Sequence, residues 1–280
     1  MRLHSGCLLA LSIMSVNILG CSKPGGETDN LNAILWVQTS SEYSAATIGT
    51  YTAAANALER IVATDPAAVG QMVVVMDVDE TVLNNSRYFA NRMLGSSRDQ
   101  QVTWDQKIAL REATAIPGAV DFIVASESLG VSVRFVSNRL CRDRADNSGD
   151  CPQKEDTLAN LRQLGVKVES GNLYLRGERP PDHCLSLLSD VDKQNGKWTT
   201  TDKTSRRQCI ELDHDIVMLV GDQLSDFIGG HGSSALASRD ALLEQYREKW
   251  GRTWFLVPNP VYGHWLNLLK SDKLAHVRGT

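Results

Sequence analysis

Val73-Val74-Val75-Met76-Asp77-Val78-Asp79-Glu80-Thr81 sets four apolar residues in a row against two carboxylates two positions apart. The apolar run predicts a strand buried on both faces, as parallel sheets require. Asp77 and Asp79 then stand at the carboxyl end of that strand, where open α/β sheets bind their ligands. Carboxylates so placed suit a hard cation such as Mg²⁺, which takes oxygen ligands and neutralises an incoming phosphate. Asp77 would attack phosphorus, and Asp79 would give a proton to the leaving oxygen and later take one from water. A calcium loop starting at Asp77 would need Gly at its sixth position and Glu at its twelfth; the chain has Val82 and Tyr88 there.

Two further apolar runs end in the same way. Val131 to Val136 is expected to be a strand ending in Ser137-Asn138-Arg139, where the Ser137 hydroxyl and neighbouring backbone N–H groups, Asn138 included, suit non-transferring phosphate oxygens. Ile216 to Val220 empties into Gly221-Asp222-Gln223-Leu224-Ser225-Asp226. Asp222 would complete the Mg²⁺ site with Asp77, with Asp226 as a second or outer ligand. Between these strands Lys203 opens a helix expected to reach about Leu212, which adds an ammonium to the positive end of a helix dipole.

The fold class expected is α/β, a Rossmann-like parallel sheet flanked by helices. A helical annex precedes it, in the Ala-rich pattern from Ala33 to Ala63 closed by Thr64-Asp65-Pro66. Helices are also expected over Trp104–Ala115, Ala119–Leu129, Lys154–Leu164 and Asp240–Lys249. Asn84–Tyr88 reads as a polar turn, Asp190–Asp202 as a surface loop, and Pro258–Trp265 as a rigid aromatic loop.

With 280 residues, 42% hydrophobic and 22% charged, the chain has the composition of an ordinary globular protein with one sizeable core. A net charge of −4 without a concentrated basic stripe disfavours a nucleic-acid polymer as partner. Arg139, Arg142 and Arg144 cluster, but Asp143, Asp146 and Asp150 offset them, as in a solvated loop. Residues 1–20 read as a leader: Arg2 precedes an apolar run from Cys7 to Leu19 too short for a membrane span. The run stops at Cys21, the position of a bacterial lipoprotein processing site, which would make Cys21 the lipidated N-terminus and membrane anchor. A plain secretory signal or a buried N-terminal helix are the other readings. Residues 21–32 would be a flexible tether and 33–280 the folded domain. After export, Cys141, Cys151, Cys184 and Cys209 permit two disulfides in three pairings, with Cys141–Cys151 the first choice because the two flank a polar loop.

Asp77-Val78-Asp79-Glu80-Thr81, strand-end Ser137, Lys203, and Gly221-Asp222-x-x-x-Asp226 together resemble the haloacid dehalogenase-like phosphohydrolases. Trp36-x-Gln38-x-Ser40-x-Glu42-Tyr43, Ile116-Pro117-Gly118-Ala119, Lys203-x-x-Arg206-Arg207 and Pro258-Asn259-Pro260-x-Tyr262-Gly263-x-Trp265 narrow the resemblance to bacterial class C nonspecific acid phosphatases. That family includes outer-membrane lipoproteins acting as 5′-nucleotidases. The resemblance implies a Mg²⁺-dependent phosphomonoesterase with a phosphoaspartate intermediate on Asp77, Asp79 as acid/base and backbone metal ligand, and phosphate held by Ser137 and Lys203. Asp222 would bind Mg²⁺, and Asp226 would steady the metal site and Lys203. Substrates would be phosphomonoesters, nucleoside monophosphates among them, with the base stacked on Tyr88 and Tyr262, and Trp104 third. Such stacking contributes roughly 1–3 kcal/mol per base. The resemblance also implies a homodimer, and an outer-membrane position facing the periplasm or the surface of a Gram-negative cell. Gln223 and Asn84 depart from the family's usual Asn and Asp. A phosphotransferase on the same intermediate, or a non-catalytic surface-binding lipoprotein, are the alternatives.

Overall fold

Five parallel strands form one sheet in the order β5-β4-β1-β6-β7, in a computed structural model that describes residues 30–95, 102–144, 151–230, 236–269 and 273–279. These strands are β1 (Met72–Met76), β4 (Ser132–Leu140), β5 (Leu173–Arg176), β6 (Asp215–Gly221) and β7 (Trp254–Leu256). β2 (Leu83–Asn84) and β3 (Thr114–Ala115) pair antiparallel in a separate ribbon. From the central β1 the chain passes to β4 and β5 on one side, then returns to β6 and β7 on the other. The direction of winding therefore reverses beside β1, the place where such sheets open a crevice.

All five residues of β1 are buried. Met72, Val74 and Met76 join the core formed with Leu58, Phe122 and Leu158, while Val73 and Val75 join Ile210, Phe227 and Trp254 on the opposite face. Covered faces on both sides explain why the strand shows no polar alternation. The first core is built from α2 (Ser41–Thr64), α5 (Ala119–Ser128) and α6 (Pro152–Gln163), and the second takes its helical part from α8 (Thr204–Glu211) and α9 (Leu236–Gln245). α1 (Leu31–Thr39) is separated from α2 by Ser40, an extended residue whose hydroxyl accepts from the Tyr43 N–H and caps the second helix. The remaining helices are α3 (Ser86–Leu94), α4 (Trp104–Leu110), α7 (Asp190–Asn195) and α10 (His264–Asn267).

Several boundaries differ from expectation, each for a local reason. The stretch expected as a turn at Asn84–Tyr88 enters α3, because the Asn84 side chain accepts from the Ser86 N–H and starts a helix. The helix from Trp104 stops at Leu110, since Arg111 takes a left-handed backbone (φ 56°), and Thr114–Ala115 becomes β3. β4 runs on to Leu140, and α9 begins four residues before Asp240. The Asp190–Asp202 excursion lies largely at the surface, as expected, but it holds the short helix α7 and turns Asp192 and Trp198 inward.

Two disulfides are present, Cys141–Cys151 and Cys184–Cys209, with Cα separations of 4.9 and 5.3 Å. Among the described residues no helix is long and apolar enough to cross a membrane. The leader, Cys21 and the tether up to residue 29 lie outside the described residues, as do Asp146 and Asp150.

Candidate active site

β1, β4 and β6 are neighbours, so the polar groups that follow their apolar runs meet at one edge of the sheet. A cavity of about 350 Å³ opens there, lined among others by Asp77, Asp79, Asn138, Lys203, Asp222 and Asp226. The Asp77 backbone N–H still donates to the Val220 carbonyl at 2.9 Å, which ties the carboxylate end of β1 to β6.

Lys203, only 3% exposed, stands at the start of α8 and donates to both Asp77 and Asp226, the latter at 2.7 Å. Burial opposes its charge, but Asp226 and Asp77 outweigh that and raise its pKa. The other oxygen of Asp226 accepts from the backbone N–H groups of Asp222 and Gln223 at 3.1 and 2.9 Å. Asp226 is thus spent on bracing. Asp222 accepts from the Asn259 amide at 2.7 Å. Gly221 permits this packing, since a Cβ on it would collide with the side chain of Asp226.

Carboxylate oxygens of Asp77, Asp222 and Asp226 all lie within 4.8 Å of one another. Burial, opposed by Lys203 and aided by Asp226 and Asp79, pushes the Asp77 carboxyl up to about 7. Asp222 is raised well above the usual range by burial, then by Asp226 and Asp77. Crowded, buried, oxygen-only donors with too few cations fit a hard divalent ion. Among the described residues the other group of metal-ligating type, His183 with Cys184 and Cys209, has its two sulfurs joined in a disulfide.

Asp79 has a different setting. Arg139 grips it with two nitrogens at 2.8 and 3.1 Å, and the Asn85 amide donates to it at 2.8 Å. Burial works against ionisation, yet Arg139, with Lys107 and Asn85, holds its pKa below the usual carboxylate range. Arg139 is 2% exposed and also donates to Thr157. The expectation of a solvated arginine cluster is therefore overturned for Arg139, because the extra length of β4 carries it inward. It is overturned for Arg144 too, which pairs with Asp105 and Asp156; Arg142 is exposed.

Ser137 is fully buried and its hydroxyl accepts from the Arg139 N–H at 3.1 Å. The Asn138 side chain is engaged at both ends, donating to the Thr201 carbonyl and accepting from Arg206. Of the three aromatics proposed for stacking, Trp104 and Tyr262 line the cavity. Tyr88 sits behind them, edge-on to Trp104 at 5.1 Å, and lines a smaller neighbouring cavity instead.

Sequence reading missed Phe89, which lines the cavity and lies 4.9 Å from the Tyr262 ring. Its signal was hidden because the start of α3 read as a turn. Glu80 was also missed: it is buried, has φ 57°, and accepts from the Asn85 N–H and the Tyr262 hydroxyl. It thereby joins the loop after β1 to the aromatic loop. Burial, then Asp79, pushes its carboxyl up to about 7. Gln223 keeps the site connected, donating weakly to Asp222 and accepting from the His264 N–H at 3.2 Å.

Comparison with known proteins gives a consistent set of relatives. The chain is 28% identical over 194 residues to acid phosphatase 1 of Solanum lycopersicum, and 26% identical over 188 residues to the stem 28 kDa glycoprotein of Glycine max. These alignments take in 69% and 67% of this chain, and 59% and 58% of the plant proteins. The chain thus spans less than two thirds of the length of these curated relatives. The class C acid phosphatase from Bacillus anthracis superposes with a TM-score of 0.72 at 26% identity, over 91% of this chain and 98% of that one, and its tungstate-bound structure gives the same values. The family model for HAD superfamily, subfamily IIIB (acid phosphatase) matches residues 26–265. The chain belongs to that family.

Proposed function

We propose that this protein is a Mg²⁺-dependent acid phosphatase that hydrolyses phosphomonoesters, nucleoside 5′-monophosphates among them, through a phosphoaspartate at Asp77. The observation that carries the reading is the meeting of Asp77, Asp79, Lys203, Asp222 and Asp226 in one cavity at the carboxyl ends of adjacent parallel strands. Asp77 and Asp222 would hold Mg²⁺, with a backbone oxygen at Asp79 and with Asp226 as the brace. The ion would supply positive charge against the phosphate oxygens.

Lys203, Ser137 and the backbone at Asn138 hold the phosphoryl group in this reading. An oxygen of Asp77 attacks phosphorus as the bond to the leaving oxygen breaks, and Asp79 gives that oxygen its proton. Asp79 then takes a proton from water, whose oxygen attacks phosphorus and releases phosphate and Asp77. Arg139 keeps Asp79 ionised at rest, so it must acquire its proton before the first step, which mildly acid medium favours. Trp104, Tyr262 and Phe89 form a wall on which a nucleobase can stack without strict identity. The tungstate-bound relative supports the reading, since tungstate is a tetrahedral oxyanion like phosphate.

The leader and Cys21 support a lipid-anchored outer-membrane protein with residues 33–280 as its folded part, and the family resemblance supports a homodimer. The test is phosphate release from a nucleoside 5′-monophosphate and an aryl phosphate, with Mg²⁺ or EDTA, beside Asp77→Asn. Metal-dependent release abolished by Asp77→Asn is expected. No release from either ester by folded protein would sink the reading.

A further inference from the structure

Arg206 is completely buried, yet it makes no ion pair among the described residues. Its guanidinium is met by neutral oxygens alone. One nitrogen donates to the Ser137 carbonyl at 2.6 Å; another donates to the Asn138 side-chain oxygen at 2.7 Å and to the Asp202 carbonyl at 3.1 Å. Its Nε has no hydrogen-bond partner among the described residues. The two segments it joins are the end of β4 and the residues just before Lys203, the segments that hold phosphate in the proposed function.

A buried cation without an anion is costly, and proteins that keep one supply the counter-charge from elsewhere. Arg139, the other fully buried arginine in this region, shows the ordinary solution, a bidentate carboxylate on Asp79. Arg206 has instead Arg207 and Arg176 as charged neighbours, and burial followed by those two cations pulls its pKa down to about 10. Asp77 and Asp192 attract it only from beyond hydrogen-bond reach.

We infer that Arg206 is a positioning residue for the phosphoryl group: it fastens the Ser137–Asn138 segment of β4 to the Lys203 segment, and its unpaired charge is balanced when a phosphate dianion occupies the site beside that segment. The inference rests on the phosphatase reading. A guanidinium suits this place because its rigid planar fork sets two separate nitrogens against three oxygens of two segments, whereas an ammonium offers a single nitrogen. The Asn138 side chain serves as part of this brace, held between the Thr201 carbonyl and Arg206.

The test uses the full-length protein, with inorganic phosphate as the probe. Arg206→Met, shown to be folded, should raise the inhibition constant for phosphate and the KM for an aryl phosphate by about tenfold or more, while the Mg²⁺ concentration for half-maximal activity stays within about twofold. The rise in Tm that phosphate gives the wild type should shrink in the variant by about half or more. Arg206→Lys should show the same direction, and it serves alone if the Met variant does not fold. An unchanged phosphate inhibition constant and Tm rise, or a loss confined to kcat, would overturn the inference as that of a merely structural residue. Lack of turnover in the wild type would instead remove the phosphatase reading, so the two failures are distinct.

Discussion

At the scale of single residues, the site depends on small allowances made by neighbours. Gly221 is followed so closely by the folded-back Asp226 that any Cβ intrudes. Gly221→Ala should therefore cost about 1–3 kcal/mol from overpacking, read by urea unfolding, and should lower turnover by displacing Asp226 from Lys203. Arg139→Met should cost more, about 3–5 kcal/mol, since it leaves the Asp79 carboxylate buried and unpaired. Thermal unfolding with and without Asp79→Asn in the same chain checks this, and the second change should recover part of the loss. Asp77, Asp79 and Asp222 were readable in the sequence because each follows an apolar run at once. Arg139 was not. Three neighbouring aspartates made it look solvated, and only the length of β4, set by pairing with β5, decides which way it faces.

Among the elements, the excursion between β5 and α8 differs most from its sequence appearance. Its polar composition suggests a loop on the surface, but Asp192 turns inward and acts as a surrogate for missing backbone acceptors. It takes the N–H and hydroxyl of Thr199 at 2.7 Å each and the N–H of Thr200 at 3.0 Å. Local composition cannot show this, because the same polar residues serve equally as a solvated loop. Asp192→Ala should cost about 1–3 kcal/mol by stranding those donors. The pH dependence has a definite sign. Burial alone would raise the Asp192 pKa, but the Thr199 donors outweigh it and the folded value falls below the usual one. The stabilisation is then fully present above the unfolded value of about 3.9 and is lost as pH falls through the lower folded value. Tm measured from neutral to strongly acid pH should show the gap between wild type and Asp192→Asn closing only below about pH 4.

For the molecule as a whole, strand endings were readable but strand order was not, since β1, β4 and β6 become neighbours only through pairings distant in sequence. That pairing gathers five acidic side chains, Asp77, Asp79, Glu80, Asp222 and Asp226, around two cations that contact them, Lys203 and Arg139. Mg²⁺ at a hundred times its dissociation constant should accordingly stabilise the fold by about 2.7 kcal/mol, with EDTA reversing the gain and Asp222→Asn blunting it. Calorimetry across a Mg²⁺ series checks this. The Cys184–Cys209 bridge spans 25 residues, and replacing both cysteines by serine should cost roughly 3–4 kcal/mol. Lys203 and Arg206 both lie inside that closed ring of chain. A protease that cuts the backbone once between Leu185 and Asp202 therefore releases nothing: the two pieces stay covalently joined and travel as one species until a thiol is added, with the piece that carries Lys203 and Arg206 tied through Cys209 to the piece that carries Asp77 and Ser137.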